Sequence, residues 1–211
     1  MYKLATFVDF IILACEHKSS KKHILQQKGA ICRIMKRKYT PMANLKGYIA
    51  DGLMLLMRKK GFVDISIGEI TDKAGVNRSS YYRNFNSKDD IVKYFFNKIV
   101  FELMENIKGK KDIALKNYLE IMFSHFYQYK KELLLIHKNR LSHIILDALN
   151  ETFPKIEKKQ LFEELFRIYY HTGGIYNSFL LWFADGMCQT PERMAELSMD
   201  ILPKGFKPIL L

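Results

Sequence analysis

The chain has 211 residues, 48% of them apolar and 27% charged, with a formal net charge of +12. That length can bury a core without disulfide or metal staples, and the composition excludes a disordered or collagenous chain. The three cysteines, Cys15, Cys32 and Cys188, are scattered without CxxC spacing, so neither a disulfide framework nor a zinc site is expected, and a reducing, cytoplasmic setting is.

Taken in chain order, the first 34 residues open with an apolar stretch from Leu4 to Cys15. It is too short to cross a bilayer and carries Asp9 in its middle. It also lacks the charged front and small-residue cleavage site of a signal peptide. Two readings of this extension stand: an accessory helix, or residues that the working protein lacks because translation starts at Met35. Lys36, Arg37 and Lys38 would then form a basic arm suited to a polyanion backbone. The expected divisions are the extension at 1–34, a basic module at 35–104 and a second module at 105–211. Charge supports the division: residues 35–100 carry a balance of +7, whereas residues 101–211 carry +1. A basic front on a near-neutral body is the pattern of a polyanion-binding module joined to a second module.

Leu45, Ile49, Leu53 and Leu56 form one apolar stripe on a helix over about residues 43–59. Ser66 with Glu69 three residues on has capping-box spacing and opens a short helix that Gly75 ends. A third helix runs over about residues 77–84. Ser87, followed by Asp89 and Asp90, caps a fourth, whose apolar face continues through Ile91, Phe95, Ile99 and Leu103. After the polar run at residues 108–112, Leu115, Leu119, Met122 and Phe126 mark a further helix, and another covers about residues 132–149. Pro154 opens a long helix ending at Gly186, and Thr190-Pro191-Glu192 starts the last. No segment alternates with a strand's period, so the fold class is all-α.

The two short helices joined through Ala74-Gly75-Val76 have helix-turn-helix dimensions, the glycine supplying the left-handed backbone of the turn. Such a motif lays its second helix in the major groove with the N-terminal residues at base edges, here Asn77, Arg78, Ser79, Ser80 and Tyr81. A glycine turn alone does not distinguish this from an ordinary helical hairpin. The surrounding residues do. Gly61-Phe62, the run Ile70-Thr71-Asp72-Lys73-Ala74-Gly75-Val76-Asn77-Arg78-Ser79-Ser80-Tyr81-Tyr82-Arg83-Asn84-Phe85, and Ser87-Lys88-Asp89-Asp90-Ile91 resemble the DNA-binding domain of the TetR/AcrR family of bacterial transcriptional regulators. The likeness covers about residues 45–101. Thr71 departs from it, standing where the family usually has alanine.

The resemblance implies an N-terminal three-helix DNA-binding domain and a C-terminal helical ligand-binding and dimerisation domain. It implies that Ser66, Tyr82 and Lys88 meet backbone phosphates, and that Arg78, Ser79, Ser80, Tyr81 and Asn84 lie on the recognition helix, with Ile70 and Phe85 in the core. The stretch from Ile175 to Phe183, with Asp185-Gly186-Met187 and Thr190-Pro191-Glu192, resembles the C-terminal part of a subset of these regulators and implies a four-helix dimer bundle. Phe179 and Trp182, three residues apart on one face, are expected at that interface, the rival place being the monomer core. Gly173-Gly174 either admits a close helix or permits a kink. Tyr118, Phe126, Tyr127, Tyr170 and His171 are candidate pocket residues, though aromatics at this spacing are commonly plain core.

His125, His137 and His143 lack metal-ligand spacing. There is no GxSxG, no phosphate-cradling glycine loop and no supported Cys/His pair, so neither an enzyme nor a cofactor is expected. The expected protein is a homodimeric repressor on a palindromic double-stranded DNA operator, released by a small-molecule effector, with no membrane association. The alternatives are an activator or ligand-independent regulator with the same domain, and a helical interaction module that does not bind DNA.

Overall fold

A computed structural model describes residues 42–108, 110, 113–153 and 161–202. The expectations for residues 1–34, the basic arm and Pro154 lie outside the described residues. Those described are all helical, with no strand. Helix α1 is Met42–Met57, and a 3-10 turn follows at Phe62–Asp64. Next come α2 at Ile67–Ala74, α3 at Arg78–Asn84 and α4 at Lys88–Ile107. The body consists of α5 at Leu115–Gln128, α6 at Lys130–Lys138, α7 at Ser142–Thr152, α8 at Phe162–Ala184 and α9 at Pro191–Ile201.

The stripe on α1 points inward, with Ile49 and Leu53 fully buried. Gly52 lies on the same side because α2 approaches closely there. A Cβ at position 52 would stand 3.3 Å from the Ala74 amide nitrogen and the Ile70 carbonyl oxygen. At the start of α2, Ser66 Oγ accepts the Glu69 amide while Glu69 Oε2 accepts the Ser66 amide, completing the capping box. Thr71 is buried, yet its hydroxyl donates to the Gly68 carbonyl at 2.9 Å, so the departure from alanine leaves no polar orphan.

Gly75 ends α2 at φ +68° and ψ 32°, and the Val76 amide then bonds back to the Thr71 carbonyl at 2.9 Å. A Cβ at position 75 would touch nothing, so only backbone strain opposes a side chain there. Gly75→Ala is therefore expected to cost about 1–2 kcal/mol, the penalty of a left-handed L-residue. A thermal melt checks this. A neutral result would mean that the turn relaxes.

The long α4 carries Ile91, Phe95, Ile99 and Leu103 on one buried face, as expected, and ends at Ile107. The single helix expected over 132–149 is corrected to two, α6 and α7. Arg140 takes φ 60° between them, and the Leu141 amide returns to the Ile136 carbonyl at 3.1 Å. The turn contains neither glycine nor proline, so the sequence carries no ordinary break signal there. It is held from elsewhere: Asn139 Oδ1 accepts the Phe62 amide at 2.9 Å, and Glu132 on α6 pairs with Arg58.

Helix α8 continues through Gly173-Gly174 with no break, and a Cβ at either position would meet nothing within 4 Å. Gly186 at φ +66° closes this helix. Thr190 Oγ1 then caps α9 through the Arg193 amide, with Pro191 in the first turn. Phe179 and Trp182 are 2% and 1% exposed within the single chain, so their expected place at a dimer interface is corrected to the monomer core. They join Phe123 and Phe126 in an aromatic cluster, and the Trp182 indole donates to the Gln189 carbonyl at 3.0 Å.

Candidate nucleic-acid interface and body cavity

The recognition helix α3 is short, and its seven residues Arg-Ser-Ser-Tyr-Tyr-Arg-Asn carry little apolar contrast. Its orientation is set by Tyr81, which is 1% exposed and packs against Phe85 in the domain core. Ser80 is buried beside it. Both are corrected from the expected DNA-contacting set: with their side chains inward, they hold the helix in place. The outward face presents Asn77, Arg78, Ser79 and Tyr82, the last 64% exposed, and adds Arg83, which the expected set omitted. Spacing alone identifies Arg83, since it lies four residues after Ser79 and its Nε donates to the Ser79 carbonyl at 3.3 Å. Asn84 is half-buried and its Nδ2 donates to the Ser80 carbonyl at 2.7 Å, closing the last turn.

Arg78 is exposed, and its guanidinium lies over Gly68 of α2; a Cβ at position 68 would stand 2.6 Å from Arg78 Nη2. The glycine thus clears space for a cation at the head of the recognition helix. Ser66 is exposed at the N-terminus of α2, where Glu69 also accepts from Lys60 Nζ at 2.6 Å. Hydrogen bonding to Lys60, then to the Ser66 amide, holds the Glu69 carboxyl at about 2, well below the usual carboxylate range.

Lys88, expected at a backbone phosphate, is half-buried at the start of α4. Its Nζ donates to the carbonyls of Phe62, Val63 and Ile65 at 2.8, 3.2 and 2.8 Å and lies 4.7 Å from the Phe62 ring centroid. An ammonium has three protons. All three are engaged within the chain, where they tie the start of α4 to the 3-10 turn. Lys88→Ala is expected to cost about 2 kcal/mol of stability through lost charge-assisted hydrogen bonds. The measurement is a denaturant titration; an unchanged midpoint would show that the three bonds contribute nothing net.

In the body, α4, α5, α7, α8 and α9 surround a cavity of about 700 Å³. Of the expected pocket residues, Tyr118, Phe126, Tyr170 and His171 line it together with Phe123 and Phe179. Tyr127 does not, a correction with a simple cause: its ring stacks on Trp182 and lies 5.1 Å from Lys130 Nζ. His125 is a satisfied core histidine, its Nε2 bonding the Ile99 carbonyl at 2.8 Å and its Nδ1 facing Asn106. His137 Nδ1 meets Ser142 Oγ at 3.0 Å, and His143 is exposed.

This fold and surface define a helix-turn-helix DNA-binding protein with a helical C-terminal body. Residues 49–95 match the family model of bacterial regulatory proteins, tetR family. Over that segment the chain carries a DNA-binding domain of the tetR-family type. No curated protein matches it. Among solved structures, a TetR transcriptional regulator from Streptococcus agalactiae 2603V shares the fold at a TM-score of 0.52 and 17% identity, over 82% of this chain and 99% of that one. The dihydroxyacetone kinase operon activator DhaS matches at 0.49 and 16%, over 74% and 93%. The fatty acid degradation regulator FadR from Bacillus halodurans matches at 0.48 and 17%, over 80% and 98%.

Proposed function

We propose that this chain is a homodimeric repressor that binds a palindromic operator and is released by a small ligand held in the body cavity. The observation that carries the reading is the outward face of α3. Two cations, Arg78 and Arg83, and the hydroxyls of Ser79 and Tyr82 stand on one exposed surface, while Tyr81 anchors the opposite side. Arginine at the head of a recognition helix can read guanine in a bidentate contact, and the tyrosine hydroxyl suits a phosphate. Dimerisation is supported by the outer face of α8, where Phe162, Phe166, Tyr170 and Leu181 are all exposed. Two-fold symmetry would place two copies of α3 on half-sites about one DNA turn apart. A ligand that prefers a different separation of these helices shifts the equilibrium by its differential affinity.

Selection of bound duplexes from a random pool tests the first step, with a palindrome as the expected product. Arg78→Ala is expected to weaken binding to the selected site by about 1–3 kcal/mol and to relax preference at one base pair of each half-site. Tyr82→Phe is expected to weaken binding about equally on all sequences. A pool that returns no enriched motif would overturn the reading.

A further inference from the structure

The cavity wall carries a chemical signature. Its described lining contains no aspartate, glutamate, lysine or arginine, and most of its surface comes from side chains such as Leu103, Met122, Phe126 and Phe179. Two of its hydroxyls are already engaged within their own helices: Ser178 donates to the Gly174 carbonyl at 2.9 Å and Ser198 to the Met194 carbonyl at 2.8 Å. The His171 ring is held toward its neutral form, by burial first and then by the charge of Arg167. Tyr118 differs from these. It is 5% exposed, it lines the cavity, and its hydroxyl has no hydrogen-bond partner among the described residues. Burial pushes its ionisation well above the usual range, so the group is a neutral hydroxyl able both to donate and to accept. The residue is buried, but it lines the cavity, so a polar atom of a bound ligand can reach its hydroxyl.

We infer that the cavity takes an uncharged, mainly apolar small molecule with one hydrogen-bonding head group seated against Tyr118. This rests on the reading that the body binds an effector, and it names that effector's class. An ionised head would meet an apolar wall with no charged side chain among its described lining residues, which disfavours carboxylates, phosphates and quaternary ammonium ions. The volume is in the range of sites that enclose drug-sized ligands.

The test uses the full chain and three probes with the same tail: 1-decanol, decanoate and decyltrimethylammonium, each titrated by calorimetry. The alcohol is expected to bind at least about tenfold more tightly than either ion, and Tyr118→Phe to weaken the alcohol about tenfold. The melting temperature of the free variant should stay level, since no hydrogen bond among the described residues is removed. An ion that binds as tightly as the alcohol, alcohol binding indifferent to Tyr118→Phe, or no binding of any probe would each overturn the inference. Operator titrations with and without decanol separate the two readings. Tyr118-dependent binding that leaves operator affinity unchanged supports the ligand class and removes only ligand-controlled release.

Discussion

Replacing Phe179 with aspartate is expected to unfold the chain, leaving no folded monomer behind. The ring is 2% exposed and lies 4.7 Å from Phe126, in a cluster that also takes in Phe123, Trp182 and Phe183. Truncating a buried phenylalanine to alanine costs about 3–5 kcal/mol through lost transfer energy and a residual cavity. A carboxylate there adds desolvation with no cation beside it, and the total approaches the whole stability of an ordinary domain, about 5–15 kcal/mol. Trp182 is buried with it, and its indole proton is committed to the Gln189 carbonyl that shapes the turn into α9. Far-UV circular dichroism with light scattering on Phe179→Asp checks the outcome. A helical, monomeric product would return Phe179 to a subunit interface.

This position shows where sequence periodicity stops. Helix α8 is apolar on both faces: Ile168, Phe179 and Phe183 on the buried side, and Phe162, Phe166 and Leu181 on the exposed side. When both stripes are apolar, spacing marks a helix without saying which stripe is inside. The recognition helix poses the opposite problem, since Ser79 and Ser80, or Tyr81 and Tyr82, are alike in chemistry and opposite in orientation. Only the docking of Tyr81 against Phe85 decides between them. Local signals fared better because their partners are local. The Ser66–Glu69 and Ser87–Asp90 capping boxes, the left-handed Gly75 and the Thr190 cap each depend on atoms within a few residues. Lys88 and Asn139 depend on the 3-10 turn at Phe62–Asp64, which is distant in sequence from both. No spacing rule reaches that far.

The remaining prediction concerns the outer face of α8. Phe162, Phe166, Tyr170, Gly173, Asn177 and Leu181 recur at intervals of three or four residues, which places them on one side of the helix. Leu181 is 74% exposed and Phe166 63%, and so long an apolar strip on one helix marks an interaction surface. Gly173 lies within the strip, where a Cβ would meet nothing in the single chain. A glycine in a helix interior costs roughly 0.5–1 kcal/mol relative to alanine, and no contact among the described residues requires it. A second copy of α8 crossing close to Gly173 would supply the requirement. Under two-fold symmetry a single substitution enters the interface twice. Leu181→Arg is therefore expected to give a folded monomer, with dimer dissociation raised by about 3 kcal/mol or more as two unpaired charges are buried. Gly173→Leu should divide the two effects, with a monomer as stable as the parent or more so, but impaired dimerisation. Light scattering at micromolar concentration alongside a thermal melt reads both. If both variants remain dimers, the two-fold contact lies elsewhere on the body, and the strip on α8 faces another partner.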